Sequence, residues 1–387
     1  MIDLIELREA LREADLDGWL LYAFKGLNPV ATRVLGLTGL NTRRLFALFP
    51  RHGDPLVIAH KIELQGWENF PGKVVPYARW SELNQALSNA VAGKTLGMEI
   101  SPRDAVPYLD RVPHGVVQLL QSMGAKILPS GDLVSRFAAR WSQQELADHH
   151  FAAEILADVA RSILRQAVGE TALTETVLQA RVIAALEGRG LVLNEPPIVG
   201  FGPNSAKPHY EPQPGKDAVL QPGDLILLDL WAGRSLDTVF ADQTWIGFAG
   251  SHLPPQVAEV WRTVRRARDA AIDAIRQASA EHRSIAGYEA DQAARAVVSA
   301  AGYGDAFVHR TGHSIDRDLH GSGPHLDDYE THDDRVLLPG VGFSVEPGIY
   351  LPGSFGIRSE VNVFMDRSGP VVTPREPQQG VIVRSDS

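Results

Sequence analysis

Two stretches of this chain follow one plan, and that plan narrows the fold sharply. PGDLILLDLWAG (Pro222–Gly233) leads into TVFADQTWIGF (Thr238–Phe248), and PGVGFSVEPGIY (Pro339–Tyr350) leads into FGIRSEVNVFM (Phe355–Met365). All four segments have the apolar content of strands. In each pair an acid follows the Pro-Gly by the same interval, Gly223 to Asp229 and Gly340 to Glu346. A second acid lies on the next segment, Asp242 after thirteen positions and Glu360 after fourteen. A histidine precedes each Pro-Gly, His209 in one half and His313 in the other. Two helical patterns come before each set of strands, so the order helix, helix, strands is taken twice. Two similar halves related by a pseudo-twofold axis would bring four carboxylates to that axis.

Ser142-Gln-Gln-Glu145 is a capping box, and Leu146, Ala153, Leu156, Ala160 and Ile163 continue from it at helical spacing. A second helix is expected from about Thr174 to Leu186, stopped at Gly188-Arg-Gly190. The later pair is expected at about Pro255–Ala280 and Ser284–Ala301, the second ending at Gly302-Tyr-Gly304. Residues 1 to about 135 alternate helical and extended patterns. Leu4, Leu7 and Leu11 form a stripe, and Gly18–Ala23, Leu45–Pro50, Pro55–His60 and Lys94–Ile100 are strand-like. This predicts a smaller α/β domain over 1–135 and a larger one over 136–387, with Ser135–Trp141 at the boundary. The smaller domain carries no phosphate loop, triad signature or metal spacing, so its expected role is structural, steric or in substrate selection.

Four carboxylates in one partly buried site cannot all stay ionised unless cations neutralise them. Two divalent ions balance four carboxylates and one neutral imidazole. The chain has no cysteine, so oxygen and nitrogen must hold any metal; manganese is taken first, with zinc, cobalt and iron open. Two ions about 3.5–4 Å apart lower the pKa of a shared water and clamp both ends of a displacement. FVHRTGHSIDRDLH (Phe307–His320) adds His309, His313 and His320 around a Thr-Gly suited to a turn; taken alone, these three could form one metal cluster. Strand periodicity turns Arg358 the same way as Glu360, and Phe240 and Thr244 the same way as Asp242. Arg358 is therefore expected to face the site, holding an acid or receiving a substrate carboxylate.

With these residues the chain from Ser142 to its end resembles the pita-bread metallopeptidases, the family of methionine aminopeptidase, Xaa-Pro aminopeptidase, Xaa-Pro dipeptidase (prolidase) and creatinase. The N-terminal part resembles the smaller creatinase-type domain of the proline-specific members. The resemblance implies an α+β fold class: a pita-bread fold with internal pseudo-twofold duplication, preceded by the α/β domain. It implies hydrolysis between an N-terminal residue and proline, in a dipeptide or short peptide, by a hydroxide bridging two metals, and a homodimer. Residue by residue, Asp229 in ILLD becomes a terminal ligand of the first metal. Asp242 in ADQT and Glu360 in IRSE become bridging ligands, and His313 in TGHS and Glu346 in VEPG ligands of the second metal. His209 in GPNSAKPHY becomes a substrate-binding histidine, and His309 and His320 orient substrate and stabilise the tetrahedral intermediate while Glu346 shuttles protons. Arg358 and Tyr210 count with the substrate-binding residues. The family's Asp-x-Thr-Arg-Thr reads Asp242-Gln-Thr-Trp-Ile246 here, Trp231 stands where a small residue is commoner, and Ser314 and Asp316 stand where glycines are often seen. These departures bear on substrate length and specificity rather than on the metal ligands.

The balance of 37 Lys+Arg against 47 Asp+Glu, a net charge of −10 without a long basic run, argues against nucleic acid as a partner. No apolar run approaches the ~20 residues of a membrane span, and MIDLIELREALREADLDG lacks the apolar h-region of a signal peptide. The expected location is cytoplasmic, without membrane or nucleic-acid partners. A creatinase-like, metal-independent C–N hydrolase would not need five ligands, and a non-catalytic pita-bread binding protein should have lost some; all five are present. A methionine aminopeptidase would lack a comparable N-terminal domain. His149, His150, His325 and His332 are expected at the surface, and Tyr210, Trp231 and Trp245 as wall or core, an aromatic wall being suited to a proline ring.

Overall fold

Alternation along each strand of the N-terminal sheet commits its two faces to two cores. The computed structural model describes residues 2–385, and the chain divides into two compact units, Met1–Ala138 and Ala139–Ser387. The first contains α1 (Leu4–Glu13), β1 (Gly18–Ala23), α2 (Pro29–Leu35), β2 (Leu45–Pro50), β3 (Leu56–His60), β4 (Lys73–Tyr77), α3 (Trp80–Val91), β5 (Thr95–Met98), α4 (His114–Ser122), β6 (Lys126–Pro129) and α5 (Gly131–Phe137). Its sheet runs β4-β3-β2-β1-β5-β6. Trp19, Leu21 and Ala23 of β1 pack with Leu7 and Leu11 of α1 and Val30 of α2. Leu20 and Tyr22 turn to the other face, against Leu83 and Leu87 of α3 and Leu120 of α4.

The second unit opens with α6 (Gln143–Ala167) and α7 (Glu175–Glu187), followed by β7 (Ile198–Phe201), β8 (Leu225–Ala232) and β9 (Ala241–Phe248). Then come α8 (Pro255–Ala280), α9 (Gly287–Ala300), β10 (Ser314–Ile315), β11 (Gly342–Val345), β12 (Gly348–Leu351), β13 (Phe355–Arg358), β14 (Val361–Asp366), β15 (Gly369–Thr373) and β16 (Ile382–Val383). The sheets are β16-β9-β8-β7, β10-β11-β14-β15 and the hairpin β12-β13. The Ser142 capping box is formed: its Oγ accepts from Glu145 N–H (3.2 Å), while Ser142 N–H donates to Glu145 Oε2 (2.7 Å).

Strand β8 shows how this frame makes a site. Ile226, Leu228 and Leu230 pack toward α6 and α7, whereas Leu225 and Leu227 join the core formed with α8, α9, β11 and β14. Asp229 and Trp231 share the parity of Leu225 and Leu227, so on that face the strand changes from apolar to acidic partway along.

Several expectations need correction. Pro339–Tyr350 and Phe355–Met365 are not continuous strands: each breaks at its acid, between β11 and β12 and between β13 and β14. Pro347 has no N–H for a ladder, and Glu346 N–H donates instead to Thr311 O at 2.7 Å. The break lets β11 pair with β14 and β12 with β13. Leu191–Tyr210, whose apolar residues make it read as extended, has only the four residues of β7 as strand. His149 is buried, not at the surface; it lies three residues after Leu146 and four before Ala153, on the helix's apolar stripe. There its Nδ1 is 3.0 Å from Phe240 O and its Nε2 2.8 Å from Thr373 Oγ1, and burial pushes its pKa down to about 4. His325 is buried as well, accepting Ser314 N–H at 3.1 Å. His150 is half-buried and His332 exposed.

Candidate active site

The β8–β9 register sets Asp229 opposite Thr244 and Trp231 opposite Asp242, so both acids lie on one face of adjacent strands. Asp242 is fixed further by its N–H, which donates to Asn362 Oδ1 of β14 at 2.9 Å. His313 comes from the turn before β10, where a Cβ on Gly312 would sit 1.9 Å from Ser344 O; only glycine lets this turn lie so close to β11. His313 N–H donates to Ser344 Oγ (2.9 Å), and that hydroxyl donates to Glu346 Oε1 (2.9 Å). His313 Nε2 lies 3.4 Å from Asp242 Oδ2 and 3.3 Å from Glu346 Oε1.

Thr244 is the hub of the opposite side. Its hydroxyl is 2.7 Å from Glu360 Oε2 and 3.1 Å from Asp229 Oδ1, and it accepts from Arg358 Nε at 2.8 Å. Arg358 also pairs with Asp229 through Nη2, and its Nε lies 3.8 Å from Glu346 and 4.0 Å from Glu360. Of its two expected roles, this geometry displays the pairing with acids.

Asp229, Asp242, His313, Glu346 and Glu360 thus meet at the floor of a cavity of about 950 Å³. Ile198, Pro197, Trp231 and Tyr210 form an apolar wall, and His209, His309 and His320 also line it. Trp231 is held by its indole N–H, which donates to Asn194 Oδ1 at 3.0 Å, whereas Trp245 packs in the core toward α6. His320 stacks edge-on against His313 with ring centres 4.3 Å apart. His309 Nδ1 is 2.7 Å from Arg310 O and its Nε2 2.9 Å from Tyr350 Oη. A carbonyl only accepts, so Nδ1 bears the proton and Nε2 accepts from the tyrosine.

The charges are mutually constrained. Burial raises the Asp242 pKa to about 6 despite the bond from His313. Burial, then the charges of Asp242, Glu346 and Asp229, raise Glu360 far above the carboxylate range. Burial raises Asp229 against the opposing pull of Arg358. Burial would also raise Glu346, but the charges of His313, Arg358 and His309 outweigh it and hold the pKa at about 2. For His313 burial opposes the charge, yet the bond to Asp242 and the charge of Glu346 raise the pKa overall. His320 is held down to about 3 by His313 and then by burial.

Two buried oxygens, Asp242 Oδ1 and Glu360 Oε1, have no hydrogen-bond partner among the described residues. Asp242, His313 and Glu360 can each bring a donor atom within 4.8 Å of the others. Buried acceptors lacking donors are costly, and a divalent cation is the partner that this oxygen-rich, one-imidazole set fits.

The model of the family described as metallopeptidase family M24 matches residues 148–367. The chain belongs to metallopeptidase family M24. A protein of Mycobacterium tuberculosis described as "Probable dipeptidase PepE" is 26% identical over 356 residues, covering 90% of this M24 chain and 88% of the relative. The Xaa-Pro dipeptidase of Lactobacillus helveticus is 34% identical over 192 residues, 49% of this chain and 48% of that one. The crystal structure of dipeptidase PepE from Mycobacterium ulcerans superposes with a TM-score of 0.75 at 24% identity, covering 99% of this chain and 97% of that one. The chain is thus a peptidase of the α+β pita-bread class, in a family that uses divalent metal. Among the described residues no helix is long and apolar enough to cross a membrane.

Sequence reasoning gave no role to Thr244, Ser344, Asn362, Tyr350 or Glu175. Thr244 left a trace, since it shares the strand face of Asp242. Ser344 also left one, two residues before Glu346 and on the same parity. The others act across long separations and left no local signal.

Proposed function

We propose that this M24 peptidase cleaves the bond between an N-terminal residue and proline in dipeptides or short peptides, using two divalent ions held by Asp229, Asp242, His313, Glu346 and Glu360. The observation that carries this reading is the pair of partnerless buried oxygens on Asp242 and Glu360 beside His313, on the floor of a peptide-sized cavity. Manganese is the first ion to test, with zinc, cobalt and iron as alternatives. Such ions, when bound, supply Lewis-acid chemistry, making water more acidic and polarising the scissile carbonyl.

The chain's own groups do the rest. Glu346 Oε1 accepts from Ser344, which leaves Oε2 to take a proton from the attacking water and pass it to the departing proline nitrogen. His320, neutral and facing the cavity, offers a hydrogen bond to the peptide oxygen as charge develops on it. His309 is turned by Arg310 O and contributes together with the Tyr350 hydroxyl. His209, which lines the same cavity, binds the substrate. The wall of Trp231, Tyr210, Pro197 and Ile198 suits an apolar ring that carries no N–H.

The test is a substrate series with manganese-loaded protein: Ala-Pro, Ala-Pro-Ala, longer Ala-Pro peptides, and Ala-Ala. Release of alanine from Ala-Pro and little from Ala-Ala is expected, and the length series separates dipeptidase from aminopeptidase. Equal rates on Ala-Ala would make the chain a general dipeptidase, and no release from any Ala-Pro peptide would overturn the proposal.

A further inference from the structure

Pro208, His209, Tyr210 and Glu211 line the cavity from a loop that follows the 3-10 turn Gly202–Ala206, and the first turn of α7 grips the loop 202–217 through hydrogen bonds. We propose that Glu175 is a positioning residue for substrate binding: its buried carboxylate latches the Tyr210 hydroxyl and thereby sets His209 over the cavity. The proposal rests on reading that cavity as the peptide site.

An acid in a helix's first turn usually faces water and answers the helix dipole. Glu175 is fully buried instead. Its Oε1 accepts Phe201 N–H at 2.7 Å and Asn204 Nδ2 at 3.0 Å, and its Oε2 accepts Tyr210 Oη at 2.7 Å and Ala218 N–H at 2.8 Å. One carboxylate thus collects donors from both ends of the loop and from its middle. Asn204 Nδ2 donates to the same tyrosine oxygen at 3.0 Å, so the hydroxyl both gives and receives. The neighbouring Thr176 holds Asp217 through its N–H (3.0 Å) and its hydroxyl (2.6 Å).

The base of the loop is fixed separately. Ser205 Oγ accepts Gly356 N–H at 2.9 Å, and a Cβ on Gly356 would fall 2.3 Å from Ser205 O, so this part lies directly on β13. Residues 207–217 form turns rather than helix or strand. Between Lys207 and Asp217 the stretch is held to the folded body by the Tyr210 hydroxyl, bonded to Glu175 and Asn204, and by the buried Pro212. Burial, followed by the bond and charge of Glu175, raises the Tyr210 pKa, so the phenol stays a donor throughout the neutral range. The hydroxyl points to Glu175, and the ring is what Tyr210 presents to the cavity. Nothing in the latch touches the five ligand side chains, so loosening it should weaken binding and spare the chemical step.

The experiment uses the full-length, manganese-loaded protein with Tyr210→Phe, Glu175→Gln and the double variant. Readouts are kcat and KM on Ala-Pro, bound manganese by elemental analysis, and hydrogen exchange across 207–217. Tyr210→Phe should raise KM about tenfold, the loss of one charge-assisted bond, and Glu175→Gln at least as much because its carboxylate holds further donors, with kcat and metal content unchanged in both. The double variant should be no worse than Glu175→Gln alone, since that change already disturbs the tyrosine bond together with the carboxylate's other bonds to Phe201, Asn204 and Ala218. An unchanged KM in Tyr210→Phe, or effects that multiply in the double variant, would overturn the latch. A Glu175→Gln protein that only melts earlier at unchanged KM would do the same. If the wild type leaves Ala-Pro intact, the substrate reading falls separately. Exchange across 207–217 then still decides the latch, faster in Tyr210→Phe supporting it and equal to wild type refuting it.

Discussion

Replacing Thr244 by valine keeps the shape of a side chain that is 1% exposed and deletes the hydroxyl between Arg358 and Glu360. Arg358 Nε loses its acceptor at 2.8 Å and Glu360 loses its partner at 2.7 Å. Glu360, whose pKa burial and then the neighbouring acids push well up, loses one hydrogen bond, which contributes about 1 kcal/mol. Arg358 keeps Asp229 through Nη2 and has Glu346 at 3.8 Å, which places its loss at the low end for a charged group, about 2 kcal/mol. The sum is about 3 kcal/mol, and for a unit the size of Ala139–Ser387 each kcal/mol shifts Tm by about 2–4 °C. Calorimetry of the metal-free protein should therefore show a fall of about 6–12 °C. Thr244→Ser keeps the hydroxyl and loses one methyl, about 1 kcal/mol, so it should melt well above the valine variant. Valine matching or exceeding serine in Tm would refute the claim that this hydroxyl holds the acid cluster together.

His313→Ala should lose bound metal, while His320→Ala should keep metal and lose rate; equal metal loss in both, read by elemental analysis, would return the three histidines to one cluster. In the first unit, Glu99 is fully buried and accepts from Trp19 Nε1 (2.6 Å), Ser130 Oγ (3.1 Å) and Asn28 Nδ2 (2.9 Å). Burial nonetheless pushes its pKa from 4.5 up to about 7. Between those values the folded chain holds a proton that the unfolded chain has released. The stabilisation is thus full below that window and falls by about 3 kcal/mol as pH rises through it. Denaturant titrations from pH 5 to 8 should show this slope in the wild type and its loss in Glu99→Gln; an unchanged slope in the variant would contradict it.

Strand parity was the most informative signal in the sequence, because side-chain direction on a strand is local geometry. From it, Asp242 and Thr244 share a face, as do Arg358 and Glu360, and the structure brings these four and Asp229 to one place. What parity could not reveal was the switch of partners at Glu346-Pro347 and Ser359-Glu360. That break depends on Thr311 and Thr244, which lie far away in sequence. His149 reads as a surface residue because two adjacent histidines look polar, although the spacing to Leu146 and Ala153 places one of them inward. Glu175 was illegible for a similar reason: a first-turn acid looks like a dipole partner, and nothing near it announces Tyr210, thirty-five residues on. The helices α6 and α8 were legible almost to their ends, since capping and period act within a few residues.

On the proposed function, the acid and histidine cluster holds the metal with which this chain cleaves Xaa-Pro bonds. The most direct measurement strips the protein of metal by chelation, then titrates manganese while following alanine release from Ala-Pro. No release without metal, a rise that saturates at two ions per chain, and no recovery in Asp242→Ala are predicted. A metal-free protein that cleaves Ala-Pro, or an Asp242→Ala variant at full rate, would contradict the account.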